Sequence, residues 1–463
     1  MTIWTPDLQQ HAGPRYVALA AAIATAIADG SLPPGARLPT HRDLAYRLGC
    51  TVGTVSRAYA LAEQRGLIAG QVGRGTYVRG GPGQDGPAAW QPAEGEFAAD
   101  LARNMPNLAL SAPFLRAAMA EIGAAPHFTA LLDYPPVGGQ RPHREAVARW
   151  VARHGVEAGA DRVILTAGTQ QALVAAILTV LQPGDVLLCE VPGYAALQEV
   201  AAICHVRLRG VPLDEGGMCP DALERAVRDS GARAVMVTPT LQNPTTITMD
   251  AARRTAIAAC AVRNDLVVIE DDVYGDLPAH RPPAIAALEG ERVIYVGSLS
   301  KCLAPALRLG WAVAPTALAG RVAEAIGAMT HDTSPLCGEL ARLWMERGAK
   351  TGLPALRRDI ADRQKVARTA LAGLSPQGDP EALHLLLPLP PPWTERDFTQ
   401  AARDAGIRMV PLNAFRLAPA GAAGGGAMRI TLPGVSDLRD LATTLERVAA
   451  LATRTAPAAA RVI

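Results

Sequence analysis

From about residue 98 onward the sequence repeats one unit: a short, almost continuously apolar run, a break at Gly, Pro, Ser or an acid, then a helical stretch. The runs are Val163–Thr166, Val186–Cys189, Ala234–Thr238, Leu266–Glu270, Val293–Gly297 and Leu309–Ala314. Short apolar runs without polar alternation read as strands buried on both faces. Strands that alternate with helices build a largely parallel α/β sheet. Ligands of such sheets collect at the carboxyl ends of the strands, so those ends hold the candidate site.

After the first run, Gly168-Thr169-Gln170 opens a helix, where free N–H groups and the helix dipole favour an anion such as phosphate. After the second comes Pro192-Gly193-Tyr194, and after the third Gln242-Asn243-Pro244-Thr245. Asp271-Asp272-Val273-Tyr274 follows the fourth, and Ser298-Leu299-Ser300-Lys301 the fifth, with Arg308 a little beyond. Taken singly, such residues are as often packing or solvated turn residues: many turns look like 168–170, and a lone Tyr194 more often fills a core. The lysine stands out. Of 45 basic residues only three are lysines, Lys301, Lys350 and Lys365. Codon bias explains the scarcity, yet a retained Lys at a strand end is a place for chemistry that an always-protonated guanidinium cannot do. A flat nitrogen-heterocyclic aldehyde bearing a phosphate needs a primary amine for a Schiff base and a carboxylate against its ring nitrogen. It also needs donors to its ring oxygen, an aromatic lid and cations for the phosphate. Successive strand ends supply every one of these.

The first 80 residues follow another pattern. They hold eight Arg, no Lys and four acids in a chain whose net charge is +2, so a basic head precedes a faintly acidic body. That asymmetry points to a polyanion partner for the head. Tyr16–Ala28 repeats Leu19, Ile23 and Ile27 on a helical face. Thr40 with Asp43 has the form of a capping box and opens a second helix that ends at Gly49. Thr51 caps a third, in which Val52, Val55, Tyr59 and Ala62 share a face before Gly66. Leu67-Ile68, Gly73-Arg74-Gly75 and Thr76-Tyr77-Val78 read as a hairpin. The order predicts a winged helix-turn-helix. Thr51, Gly53, Thr54, Ser56 and Arg57 then face outward, where a recognition helix meets base edges and phosphates. Arg42 is set to grip phosphate, and Arg74, Gly75 and Thr76 at the hairpin to reach a neighbouring minor groove. Residues 80–97 are rich in Gly and Pro without apolar periodicity and read as a linker. The expected organisation is therefore a head at 1–79, a linker at 80–97 and a body at 98–463.

The head motifs Gly30-Ser-Leu-Pro-Pro-Gly-Ala-Arg-Leu-Pro-Thr-His-Arg42, Thr54-Val-Ser-Arg-Ala-Tyr59 and Gly73-Arg-Gly-Thr-Tyr-Val78 resemble the DNA-binding domain of the GntR family of bacterial regulators. Residues 98–455 resemble the class I and II aminotransferases, fold type I enzymes that use pyridoxal 5′-phosphate. The resemblance implies that Lys301 is the Schiff-base lysine, Asp271 the ring-nitrogen partner, and Tyr274 and Asn243 the donors to the ring oxygen. It further implies that Gly168, Thr169, Gln170, Ser298 and Arg308 bind the phosphate and that Tyr194 stacks on the ring. Tyr134, in Asp133-Tyr134-Pro135-Pro136, is similar to a tyrosine that reaches a partner subunit's phosphate. Arg429, in Met428-Arg429-Ile430-Thr431, is similar to the arginine that clamps a substrate carboxylate. Three departures stand out. The family's Asn-Pro-Thr-Gly ends here in Thr246, where a glycine-only backbone is not expected. His143 replaces a usual leucine before Arg144, and a flexible glycine run, 421–426, precedes Arg429.

The whole chain resembles the MocR subfamily, which joins the two parts. That resemblance implies a homodimeric regulator binding double-stranded DNA at repeated half-sites, its body sensing the cofactor or an amino compound. A working aminotransferase with an accessory head, and a repressor that senses the cofactor alone, are the other readings. Seven cysteines without a Cys-x-x-Cys argue against a disulfide framework and a zinc site. No basic, apolar leader opens the chain, and its longest apolar runs, such as Ala172–Leu181, are too short to span a bilayer. A cytoplasmic protein is expected.

Overall fold

The computed structural model describes residues 14–29, 31, 32, 36–64, 67–71, 75–78, 97–417 and 426–454, with Trp4, Pro6 and Leu8. The chain divides into two compact units, Met1–Gln91 and Pro92–Ile463.

The head contains α1 (Arg15–Ala28), α2 (His41–Leu48), α3 (Val52–Gln64) and a hairpin of β1 (Ile68–Gln71) and β2 (Gly75–Val78). Thr40 caps α2, its hydroxyl accepting from Asp43 N, and Gly49 ends it at φ 56°. The Thr51 hydroxyl accepts from Thr54 N at 3.2 Å and opens α3. Leu19, Ile23, Leu44, Val55, Tyr59, Ile68 and Val78 are buried together, so helices and hairpin share one core. Val52 is a correction to the expected apolar face: at the first position of α3 it lies beyond the reach of that core and is 45% exposed. Gly66, Gly73, Arg74, most of the 80–97 stretch and residues 421–425 lie outside the described residues.

The body begins with β3 (Ala99–Asp100), α4 (Leu108–Ala124), α5 (Arg141–Ala152), β4 (Val163–Thr166), α6 (Thr169–Val180), β5 (Val186–Val191), α7 (Leu197–Ile203), β6 (Arg207–Asp214), β7 (Gly217–Met218) and α8 (Pro220–Ser230). It continues with β8 (Ala234–Val237), α9 (Ala251–Arg263), β9 (Val267–Asp271), β10 (Val293–Ser298), β11 (Gly310–Val313), α10 (Thr316–Thr330), α11 (Pro335–Leu343) and α12 (Ala349–Ala370). The last elements are β12 (His384–Pro388), α13 (Glu395–Asp404), β13 (Ile407–Arg408), β14 (Val410–Pro411), β15 (Ala427–Thr431) and α14 (Leu438–Ala452).

The large sheet has the order β4-β11-β10-β9-β8-β5-β6-β7. Its centre, β10-β9-β8-β5-β6, is parallel, and β11 runs antiparallel between β4 and β10. All six expected strands are present, each within two residues of its expected ends. Their side chains are almost wholly buried, as continuous apolar runs require. A smaller sheet, β12-β15-β14, packs with α12 and α14 around Leu385, Met428, Ile430 and Leu445. No helix among the described residues is long and apolar enough to cross a membrane.

Two departures from the family pattern are accommodated locally. His143 is buried with Nε2 3.1 Å from Glu339 Oε2, and Arg342 grips the same carboxylate through Nε at 2.9 Å and Nη2 at 2.6 Å. The Arg342 hydrogen bonds hold the Glu339 carboxyl down at about 2. Thr246 corrects an expectation: it adopts φ 63°, the left-handed conformation thought to need glycine. Its N–H donates to Gln242 O at 2.5 Å and its hydroxyl accepts from Asp379 N at 2.7 Å. Such bonds over-determine the loop and hold a β-branched residue where it costs about 1–2 kcal/mol.

Candidate functional site

Three neighbouring strand ends build the centre of the site. Asp271 closes β9, Ser298 closes β10, and Asn243 lies in the loop after β8. Parallel register sets Asp271 beside Val296, so the acid and the Lys301 turn leave the sheet at the same edge. Asp271 is buried, and Val273 N donates to its Oδ1 at 3.2 Å. Burial pushes its carboxyl up to about 7, against the pull of that N–H and of Lys301. Lys301 is shifted the other way, down to about 8, by burial and then by Arg429, with Asp271 opposing. A carboxyl and an amine both poised near neutrality at one strand edge make an acid–base pair.

Tyr274 is buried, its ring centroid 5.9 Å from Lys301 Nζ. Arg429, on β15 of the small sheet, donates through Nη1 to Asn243 Oδ1 at 3.2 Å and through Nη2 to Ala102 O. Its guanidinium carbon lies 5.1 Å from the Phe415 centroid, and its Nε is buried without a hydrogen-bond partner. Burial lowers its pKa to about 10. Among the described residues neither Lys301 nor Arg429 forms an ion pair with a carboxylate. Buried cations satisfied only by neutral acceptors favour an incoming anion.

The turn before α6 is an anion cradle. Gly168 caps the helix at φ 85°, and Arg308 Nη2 donates to Ala167 O at 2.9 Å. A Cβ on Gly168 would come 2.4 Å from Arg308 Nη2, and one on Gly310 would strike Gly168. Both positions therefore need glycine for close approach. The Thr169 hydroxyl beside them is buried and has no partner among the described residues. Ser298 is buried, its Oγ accepting from Ser300 N at 3.3 Å. Tyr194 packs on the sheet's second core, and burial raises its phenol pKa, with Asp271 adding to the rise.

Other expected residues stand apart. Gln170 is exposed, whereas its neighbour Gln171 accepts from Ala167 N at 2.6 Å and donates to Thr330 Oγ1 at 2.7 Å. Tyr134 is 81% exposed, its ring 5.1 Å from that of His331. In the head, Arg42, Thr51, Gly53 and Arg57 are exposed, and Thr54 and Thr76 half-buried. Ser56 is also half-buried, its Oγ 3.0 Å from His41 Nδ1 across the α2–α3 packing. Gly75 begins β2, paired with Gln71.

Sequence reasoning missed three participants. Asn104 O accepts from Lys301 Nζ at 2.6 Å, and Asn104 Nδ2 donates to Tyr274 OH at 2.9 Å and lies 3.2 Å from His384 Nδ1. His384 is fully buried, its Nε2 unpartnered, and burial followed by Arg429 and Lys301 drives its pKa well down. Glu190, at the end of β5, accepts from Thr238 N and Gln242 Nε2, both at 3.2 Å, and burial raises its carboxyl to about 8. His384 had a signal, a lone polar residue opening the apolar run His-Leu-Leu-Leu-Pro. Asn104, in an irregular segment, had none.

A buried amine and acid, an arginine held by neutral acceptors, and a glycine cradle roofed by Arg308 together fit a flat, phosphorylated heterocycle. Comparisons with known proteins agree. Residues 99–447 match the family model for aminotransferase class I and II, and residues 15–78 that for bacterial regulatory proteins, gntR family. The chain is 26% identical over 413 residues to the uncharacterized HTH-type transcriptional regulator YdeF of Bacillus subtilis, covering 89% of each. It is 28% identical over 360 residues to the HTH-type pyridoxine biosynthesis transcriptional regulator PdxR of Corynebacterium glutamicum, covering 75% of this chain and 77% of that one. The structure of Pyrococcus horikoshii kynurenine aminotransferase in complex with PMP is similar at a TM-score of 0.70 and 25% identity, over 76% of this chain and 90% of that one.

Proposed function

Because the chain belongs to the aminotransferase class I and II family and carries a gntR-family head, as MocR-type regulators do, we propose that it is a pyridoxal phosphate-dependent transcriptional regulator. The observation that carries this reading is the presence in one chain of a winged helix with exposed Arg42 and Arg57 and a body whose Lys301 and Arg429 are held by neutral acceptors, with no carboxylate partner among the described residues.

When bound, pyridoxal phosphate supplies an aldehyde that condenses with primary amines and a ring that withdraws electrons. Lys301 is the amine to hold it: with its pKa near 8, a useful fraction is neutral at cellular pH. Asp271 would hold the ring nitrogen and stabilise its proton; a cation there would also return the acid from about 7 toward its ionised form. Tyr274 and Asn243 would serve the ring oxygen, and Tyr194 the ring face. Gly168, Thr169, Ser298 and Arg308 would hold the phosphate, the Gly168 turn adding N–H groups at the start of α6. Arg429 receives the carboxylate of an amino compound. Such a ligand binds one state of the body better than another, and only that difference can shift DNA affinity. The chain acts in the cytoplasm as a homodimer, Tyr134 reaching toward the second subunit, and paired heads bind repeated half-sites in double-stranded DNA.

The test has two arms. Borohydride treatment after cofactor incubation should leave the cofactor on the peptide holding Lys301, and Lys301→Ala should abolish it. A gel shift on the gene's own upstream DNA should be lost in Arg57→Ala with cofactor uptake intact. A colourless wild type would refute the first arm, and an unchanged shift in Arg57→Ala the second. The intact set of Lys301, Asp271, Tyr274 and Arg429 supports a second reading, a working aminotransferase with an accessory head. Repeated turnover of an amino acid and a 2-oxo acid without any DNA shift would promote it.

A further inference from the structure

The first described stretch of the body, 97–107, lies against both cations of the site. Ala102 O accepts from Arg429 Nη2, and Asn104 O accepts from Lys301 Nζ at 2.6 Å. The Asn104 amide adds a bond to Tyr274 OH at 2.9 Å and a 3.2 Å contact with His384 Nδ1. On either side the stretch is held by backbone bonds, among them Leu101 N to Arg408 O at 2.8 Å and Thr431 N to Leu101 O at 2.9 Å, by Asp100 Oδ2 3.7 Å from Arg408 Nη1, and by Asn107 Nδ2 donating to Asp359 Oδ1 at 3.1 Å. Between those anchors, the Ala102 and Asn104 carbonyls accept from the two cations of the site. Those cations are the groups a cofactor and a carboxylate would claim.

We propose that Ala102–Asn104 is a two-point latch: cofactor binding opens its Asn104–Lys301 half, a ligand carboxylate opens its Ala102–Arg429 half, and release of this stretch passes occupancy to the chain that leads toward the head. The inference rests on the cofactor reading above. A carboxylate out-competes a neutral carbonyl for a buried guanidinium, because it adds charge to the same hydrogen bond. A lysine nitrogen joined to the cofactor no longer presents the ammonium that Asn104 O now accepts from. Each half thus answers a different part of the ligand.

Hydrogen exchange read by mass spectrometry on the full chain tests this in four states: alone, with pyridoxal phosphate, and with pyridoxal phosphate plus either methoxyamine or aminooxyacetate. Both reagents exchange for the lysine at the aldehyde carbon. Two hydrogens pass from the oxyamine nitrogen to the lysine, which leaves as a free amine; only aminooxyacetate brings a carboxylate. Cofactor should speed exchange across residues 98–107 on the order of tenfold, the weight of one charge-assisted hydrogen bond. Methoxyamine should return it toward the starting rate, because the lysine is free again. Aminooxyacetate should keep it fast and should shift affinity for the upstream DNA severalfold relative to methoxyamine. Arg429→Gln should exchange fast without ligand and ignore the carboxylate; Asn104→Ala, a milder change, should also raise the basal rate. Equal or slower exchange in all cofactor-loaded states overturns the latch while leaving the cofactor reading standing, equal DNA affinity overturns its relay to the head, and failure to take up cofactor overturns both readings.

Discussion

Capture of pyridoxal phosphate by this chain should follow the titration of one buried amine. An ordinary lysine titrates near 10.4, so at pH 7 only about 0.04% of it is neutral and nucleophilic. Lys301 is pushed down to about 8 by burial and by Arg429, which leaves about a tenth of it neutral at pH 7. That is a gain of about 250-fold in reactive amine. The rate of cofactor binding, followed by visible absorbance after rapid mixing, should rise about tenfold per pH unit below 8 and level off above it. The sign of each influence can be checked separately. Arg429 lowers and Asp271 raises the Lys301 value, so Arg429→Gln should move the inflection to higher pH and Asp271→Asn to lower pH. A rate that keeps climbing to pH 10, or variants that move the inflection in the opposite directions, would refute the placement of this amine among these charges.

Other outcomes follow from the same geometry. Gly168→Ala sets a Cβ 2.4 Å from Arg308 Nη2 at a φ of 85°, so cofactor affinity measured by absorbance titration should fall on the order of tenfold or more; unchanged affinity would remove Arg308 and this turn from the phosphate site. Thr246 sits at φ 63°, so Thr246→Gly should be more stable than Thr246→Ala by about 1 kcal/mol in urea unfolding, the reverse of the usual order. Arg281 Nη1 donates to Asp272 Oδ1 at 2.8 Å in a buried pair, and Arg281→Met should cost about 3–5 kcal/mol in the same assay; a loss below 1 kcal/mol would show that Tyr295, 2.6 Å from Asp272 Oδ2, satisfies the acid alone.

The parts of the fold legible in the sequence were those where one physical demand dominates. Strands buried on both faces must be apolar throughout, and β4, β8 and β10 read as such runs. In β6 only Val211 is buried among Arg207, Leu208, Arg209 and Gly210, so this strand near the sheet edge has no apolar run to announce it. Strand ends were legible because chemistry there needs residue types that packing does not, as with Lys301 among so many arginines. Asn104 and Ala102 were not, since they act largely through backbone carbonyls, and every residue has one. Thr246 misled for a different reason: propensity disfavours its backbone state, but the bond it donates to Gln242 O and the one it accepts from Asp379 N decide the matter. Ser56 shows the limit of reading a helix face by period alone, because His41 on the neighbouring helix engages its hydroxyl.

Coupling of the cofactor site to DNA is read most directly as the affinity of the full chain for its own upstream DNA, by fluorescence anisotropy, with and without pyridoxal phosphate, in wild type and Lys301→Ala. The cofactor should change the affinity of the wild type severalfold and leave Lys301→Ala where it was. Identical wild-type affinities with and without cofactor, in a sample that has visibly bound it, would show that the Lys301 site does not control DNA binding.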